Sequence, residues 1–306
     1  MDMLFSDDGR LTLIGGARDL RTTAGGASEV LAEAQVRALV GKSRQLEELE
    51  VAPDADTNDL LGLPVSAGFR AAVDQVVPYH RDLHSPLYLL LDELPVAALI
   101  SGYATLYLRG AEPRPDEEQS VGRAAPRADI CAGWRSDGLM MTAIASEAGM
   151  PTPIGPPAPV LERPDDPLSW HAIGPLSAGA MRRRRLIDVT PSGQMLQVAA
   201  MFRDTHVDQA GDETVLHEYE LEMEVEAETM VVRSCRATPR TLPWPECPAA
   251  AASAGRLEGH TVGDLRSFVR TDFQMCIRDR HADSPSGTVC MLLYAILFRR
   301  RAPETR

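Results

Sequence analysis

Residues 217–228 read HEYELEMEVEAE, and the alternation inside that stretch decides the fold. Tyr219, Leu221, Met223, Val225 and Ala227 share one side; Glu220, Glu222, Glu224, Glu226 and Glu228 share the other. A two-residue period belongs to a strand with one face on a core and one in water, hence to an antiparallel sheet. The run 230–237, MVVRSCRA, follows at once and is expected to pair with it. Pro239, Pro243, Pro245 and Pro248 should then end the sheet and build a stiff loop that presents Cys247. An Ala-rich helix comes next, and a second helix is expected from about Thr261.

Upstream, MRRRRLIDV (181–189) and MLQVAAMFRD (195–204) read as two more strands of the same unit. The front of the chain repeats the order. Val30, Ala32, Ala34, Val36, Ala38 and Val40 alternate with polar residues, and Gly41-Lys42-Ser43 turns that strand into another at 46–51. PDADTND then caps an expected helix over 59–77, its acids well placed at the N-terminus. Ser85-Pro86 opens LYLLLDEL, and Pro95 is expected to start or kink a following helix to about Leu108. With a one-residue gap, Gly62, Val65, Arg70 and Val73 match Gly259, Val262, Arg266 and Val269. The expected fold is α+β, in two related lobes, each a small antiparallel sheet packed by two or three helices. The first lobe spans residues 1–110. A Pro-rich connection containing DICAGW (129–134) spans 111–180, and the second lobe 181–273. From about residue 274 the text QMCIRDR resembles translated sequencing-adapter read-through, so 274–306 is read as a non-native tail and left out of site reasoning.

The net charge of −13 over 306 residues argues against a nucleic-acid partner, which would demand basic patches. The start, MDMLFSDDGR, lacks the basic and apolar regions of a signal peptide. The most apolar stretch, 87–108, contains Asp92, Glu93 and Pro95, which favours a buried helix pair over a membrane span. Five scattered cysteines without a secretion signal point to reduced thiols and a cytoplasmic location.

LLLDELPVAALISGY, DICAGW, MRRRRLIDV, FRDTH, HEYEL and LPWPECPAAA followed by LEGHTV resemble the uncharacterised bacterial family called domain of unknown function 2889. Members of that family continue with a Cys-Thr-His-Leu motif on the last helix; here the adapter-like text stands in its place. More distantly, the second lobe is similar to the NifU-type iron–sulfur scaffold in element order. There, a small sheet precedes a cysteine loop, a helix and a Leu-x-Gly turn, matched here by Leu257–Gly259. That resemblance implies a metal or thiolate site, with an iron–sulfur cluster or zinc as candidate cofactors.

Cys247 is the leading candidate ligand, since exposed N–H groups at a helix start favour thiolate, which is both nucleophile and soft metal ligand. His217 could add an imidazole. Asp129 and Cys131 of DICAGW could join from the connection, with Trp134 covering them, or could instead pin the linker to the core. Cys235, inside a strand, reads as a small core residue. His80 and His84 have zinc-like spacing but no HExxH context, which favours a capping or surface role. The DADTND start of a calcium loop fails at Asp59 and Val65. G-x-S-x-G, P-loop and strand-linked G-x-G-x-x-G signatures are absent. Arg182–Arg185 could hold an anion, but ion pairs with the Glu face of 220–228 are favoured. Three functional readings follow. The first is a metal or iron–sulfur-type accessory protein centred on Cys247. The second is an enzyme on small organic acids or thioesters, with Cys247 or Cys131 as nucleophile and the arginines for the substrate. The third is an interaction module with inert cysteines.

Overall fold

The computed structural model describes residues 1–109, 128, 131–146 and 151–272, apart from Ala24 and Ala67. The expected tail 274–306 lies outside them. The fold is α+β, built on one eight-stranded antiparallel sheet in the order β4-β3-β2-β1-β5-β6-β7-β8. Its strands are β1 (Asp2–Phe5), β2 (Leu11–Thr22), β3 (Ser28–Val40), β4 (Leu46–Ala52), β5 (Met181–Ser192), β6 (Met195–Val207), β7 (Glu213–Glu226) and β8 (Val232–Thr241). Two separate small sheets were expected; the short β1 instead pairs with β5 through Asp2↔Arg182 and Met3↔Met181, and both methionines are wholly buried there. The alternation in β7 is realised: Tyr219, Leu221, Met223 and Val225 are buried, while Glu222 and Glu224 are exposed. β8 runs on through Pro239 to Thr241, against expectation. It is an edge strand, and an edge tolerates a residue with no N–H to donate outward.

The helices are α1 (Phe69–Val76), α2 (Pro78–Asp82), α3 (Pro86–Ile100), α4 (Gly102–Arg109), α5 (Leu139–Ala145) and α6 (Leu265–Asp272). The single helix expected over 59–77 is a 3₁₀ turn, Asn58–Leu60, followed by α1, because Gly62 and Gly68 take left-handed φ of 78° and 91° between them. Ser85 caps α3 by accepting from Tyr88 N, and Pro86 sits where no N–H is missed. The helix passes through Pro95 without ending; it is buried almost all round and packs on β2 and β3. By length and composition Pro86–Tyr107 could cross a membrane, with mean hydropathy 1.4, yet its acids are ion-paired inside the molecule. One apolar cluster surrounds α3, and a second lies between β6–β8 and the 3₁₀ helix Cys247–Leu257.

The arginine run is explained by the pleat. Arg183 and Arg185 point to the helices, where both meet Glu93. Arg182 and Arg184 point to the opposite face, where Arg182 meets Asp2 and the Gly174 carbonyl and Arg184 meets Glu162. On that face Arg18 donates to the Leu168 and Trp170 carbonyls, and Arg203 to that of Pro159. Together they clamp the 151–180 segment as a strap across the sheet. Of the partners expected for the run, Glu220 is instead engaged with Arg240, Glu224 with Gln197 and Ser234, and Glu226 with Arg233.

Candidate functional site

Cys247 opens its 3₁₀ helix, with its N–H bonded to the Trp244 carbonyl at 3.1 Å. Its own carbonyl accepts from the Tyr219 hydroxyl at 3.3 Å. Cys131 precedes the 3₁₀ turn Ala132–Trp134 of the DICAGW motif, which is seated directly on the Cys247 loop. A Cβ at Gly133 would stand 2.7 Å from both Cys247 Sγ and Trp244 Cδ1, so only glycine lets the two loops meet this closely. Met140, Trp244 and Cys247 form a small buried cluster lined by Tyr103, Trp134 and Leu242. Trp244 Nε1 donates to the Tyr103 hydroxyl at 3.3 Å. Glu246 Oε1 accepts from Leu139 N at 2.8 Å, capping α5; its Oε2 is buried and has no hydrogen-bond partner among the described residues.

This environment reverses the expected thiolate. Cys247 is 3% exposed, and burial, the negative charge of Cys131 and that of Glu246 push its thiol up to about 12. The backbone N–H groups at the helix start pull the other way and lose. Burial also raises Cys131. A thiol held protonated is a poor nucleophile, which disfavours the enzyme reading. Cys235 is buried in the second core, as expected.

His217 is buried on β7, where Nδ1 lies 3.1 Å from Asp204 Oδ2. Arg183 grips Asp204 with two bonds, 2.6 and 2.7 Å, and reaches Glu93 Oε1 at 2.9 Å. Burial opposes ionisation of Asp204, but Arg183 and His217 hold it at about 2. Nδ1 faces Asp204, so Nε2 is turned away from the carboxylate, the orientation of a buttressed ligand. The Tyr103 ring meets His217 edge-on at 5.5 Å, so one tyrosine touches both the histidine and the Trp244 wall of the thiol pocket. Asp129 lies outside the described residues. Among the described residues no group of three His, Cys, Asp or Glu is gathered to hold a metal ion. Soft sulfur and imidazole suit zinc or an iron–sulfur cluster in kind. Two sulfurs are nevertheless half of a tetrahedral set.

A second polar centre was missed. Arg70 of α1 and Arg266 of α6 converge on Asp92 of α3, at 3.3 and 2.8 Å, and Arg266 also meets Asp74 at 3.1 Å. Tyr88 bonds to Asp74 and Arg266. Burial, with Glu93 and Asp74 nearby, raises Asp92 to about 6 although Arg70 opposes it. The available signal was the Asp92-Glu93 pair inside an apolar helix, which called for buried arginine partners. His80 accordingly serves the helix start, with Nδ1 2.9 Å from Ser85 Oγ.

Residues 181–276 match the family model described as Protein of unknown function (DUF2889). The DUF2889 segment runs from β5 through α6, so it contains Arg183, Asp204, His217, Cys247 and Arg266. Cys131, Tyr103 and Asp92, which meet those residues, come from the rest of the chain. No curated protein and no solved structure matches the chain.

Proposed function

We propose that this is an accessory protein that binds a thiophilic metal ion or an iron–sulfur-type cluster through Cys247 and Cys131, with His217 held ready by Asp204. The observation that supports the reading is the seating of DICAGW on the Cys247 loop through Gly133, which brings Cys131 near enough to act electrostatically on Cys247 beside an aromatic wall. Bound metal would deprotonate both thiols and offset the burial that now keeps them neutral. The proposal extends to a cytoplasmic setting, to a likeness in element order with NifU-type scaffolds and to descent of the two halves from one duplicated unit.

The test is metal analysis and a visible spectrum of anaerobically purified protein, beside Cys247→Ser, Cys131→Ser and His217→Ala. Metal should co-purify at stoichiometric level and fall at least tenfold in the two serine variants. Unchanged metal content in Cys247→Ser rejects the proposal. Rapid stoichiometric alkylation of Cys247 in metal-free protein would favour the nucleophile reading instead.

A further inference from the structure

The thiol pocket has a third sulfur beside it. Met140 lies on the first turn of α5, wholly buried, in the same small cluster as Cys247 and Trp244. The Cys247 loop itself holds it there: Glu246, next to Cys247 in sequence, accepts from Leu139 N at 2.8 Å and so ties the start of α5 to that loop. Cys131 comes from the turn seated on the same loop, where Gly133 lets the backbones meet. Its sulfur accepts from the N–H groups of Gly133 and Trp134, which fix it in place. Met140 and Cys247 thus share one buried cluster walled by Tyr103 and Trp134, and Cys131 is near enough to act electrostatically on both Cys247 and Tyr103.

The kind of donor narrows the ion. Zinc takes thiolate, imidazole and carboxylate ligands in tetrahedral fours, and a thioether is outside that set. Among the described residues no group of even three His, Cys, Asp or Glu approaches such a four. Thiolate together with thioether selects monovalent copper, a soft ion that is satisfied by fewer ligands. We propose that Met140 completes a monovalent copper site with Cys131 and Cys247, which rests on the reading of those two cysteines as metal ligands. Without the ion, the same methionine simply fills the core beside Trp244.

The full chain, kept anaerobic, is titrated with Cu(I) in competition with bicinchoninate, a chromophoric Cu(I) chelator. One equivalent should be held, at least tenfold more weakly in Met140→Leu, a swap of nearly equal volume, and not at all in Cys247→Ser. In selenomethionine-labelled protein the copper X-ray absorption spectrum should show a selenium neighbour, a readout that needs no variant to fold. Unchanged affinity in Met140→Leu overturns the proposal, as does copper without a selenium neighbour. Stoichiometric zinc or iron that Cys247→Ser removes, in a chain that takes no Cu(I) from the chelator, overturns it while the metal reading of the cysteines stands. Failure of all three metals to bind overturns both.

Discussion

The turn after β4 and the turn after β8 share one hydrogen-bonding scheme, yet only the second is built around a thiol. In the first, Gly62 N donates to Leu46 O, Leu46 N to Leu63 O and Val65 N to Arg44 O, at 2.8, 2.9 and 2.8 Å. In the second, Gly259 N donates to Val232 O, Val232 N to His260 O and Val262 N to Met230 O, at 2.9, 2.9 and 2.8 Å. Arg44 and Met230 both adopt positive φ, as do the two glycines. The regions diverge between the strand end and the glycine. β4 reaches Gly62 through a short 3₁₀ turn, whereas β8 reaches Gly259 through the Cys247 loop and its longer helix. The shared part is backbone geometry; the candidate chemistry lies in the part that differs.

What joins the two regions is charge. Arg183 of the second half lies between Asp204 on its own sheet and Glu93 on α3, all three buried. Removing the cation leaves buried Glu93 with Arg185 and buried Asp204 with His217 as their remaining partners, so Arg183→Met should cost about 3 kcal/mol, the lower end for breaking a buried pair. Urea unfolding would show it as a lower midpoint at unchanged slope. A loss below about 1 kcal/mol would mean the halves do not depend on this joint, against the general cost of an uncompensated buried charge.

The next effect is smaller and tests the matched arginines, Arg70 and Arg266, where they share Asp92. Its carboxyl is raised from 3.8 to about 6, so the folded state holds the proton more tightly than the unfolded chain. Its contribution is therefore greatest below pH 3.8 and is lost as pH rises through 6. Asp204 has the opposite sign: held at about 2, it stabilises above pH 3.8 and that is lost as pH falls through 2. The stability of wild type minus that of Asp92→Asn should therefore grow by about 2 kcal/mol from pH 7 to pH 4. A flat difference across that window would show that the two arginines hold Asp92 ionised throughout.

Period and punctuation made much of this legible. Strict alternation placed β3 and β7, and the Gly62–Gly259 match pointed to turns whose equivalence is now visible bond by bond. The single sheet was not legible, because β1 has only four residues and its pairing with β5 leaves no local mark. The Cys247 environment was misjudged for a different reason. The pull of a helix start on a thiol is outweighed here by burial, and the cover over this one comes from Gly133 and Tyr103, distant in sequence, as well as from neighbouring Trp244. His217 and the run containing Arg183 were named, but Asp204, which links them, was not; cross-strand pairing brought the three together.

The smallest effect bears most directly on the likeness of the two turns. Gly62 and Gly259 have φ of 78° and 84°, and a Cβ built on either meets nothing within 4 Å. An alanine at either place pays only for the left-handed backbone, about 1–2 kcal/mol, with no clash added. If the turns are equivalent, Gly62→Ala and Gly259→Ala should lower stability by the same amount, with unchanged denaturant slope, and their effects should add in the double variant because the sites share no partner. A difference beyond about 1 kcal/mol would place extra strain on one side. The stiffer cover expected there is that of Gly259, whose preceding helix carries Cys247, and metal content measured on the same variants would show whether that strain reaches the sulfur.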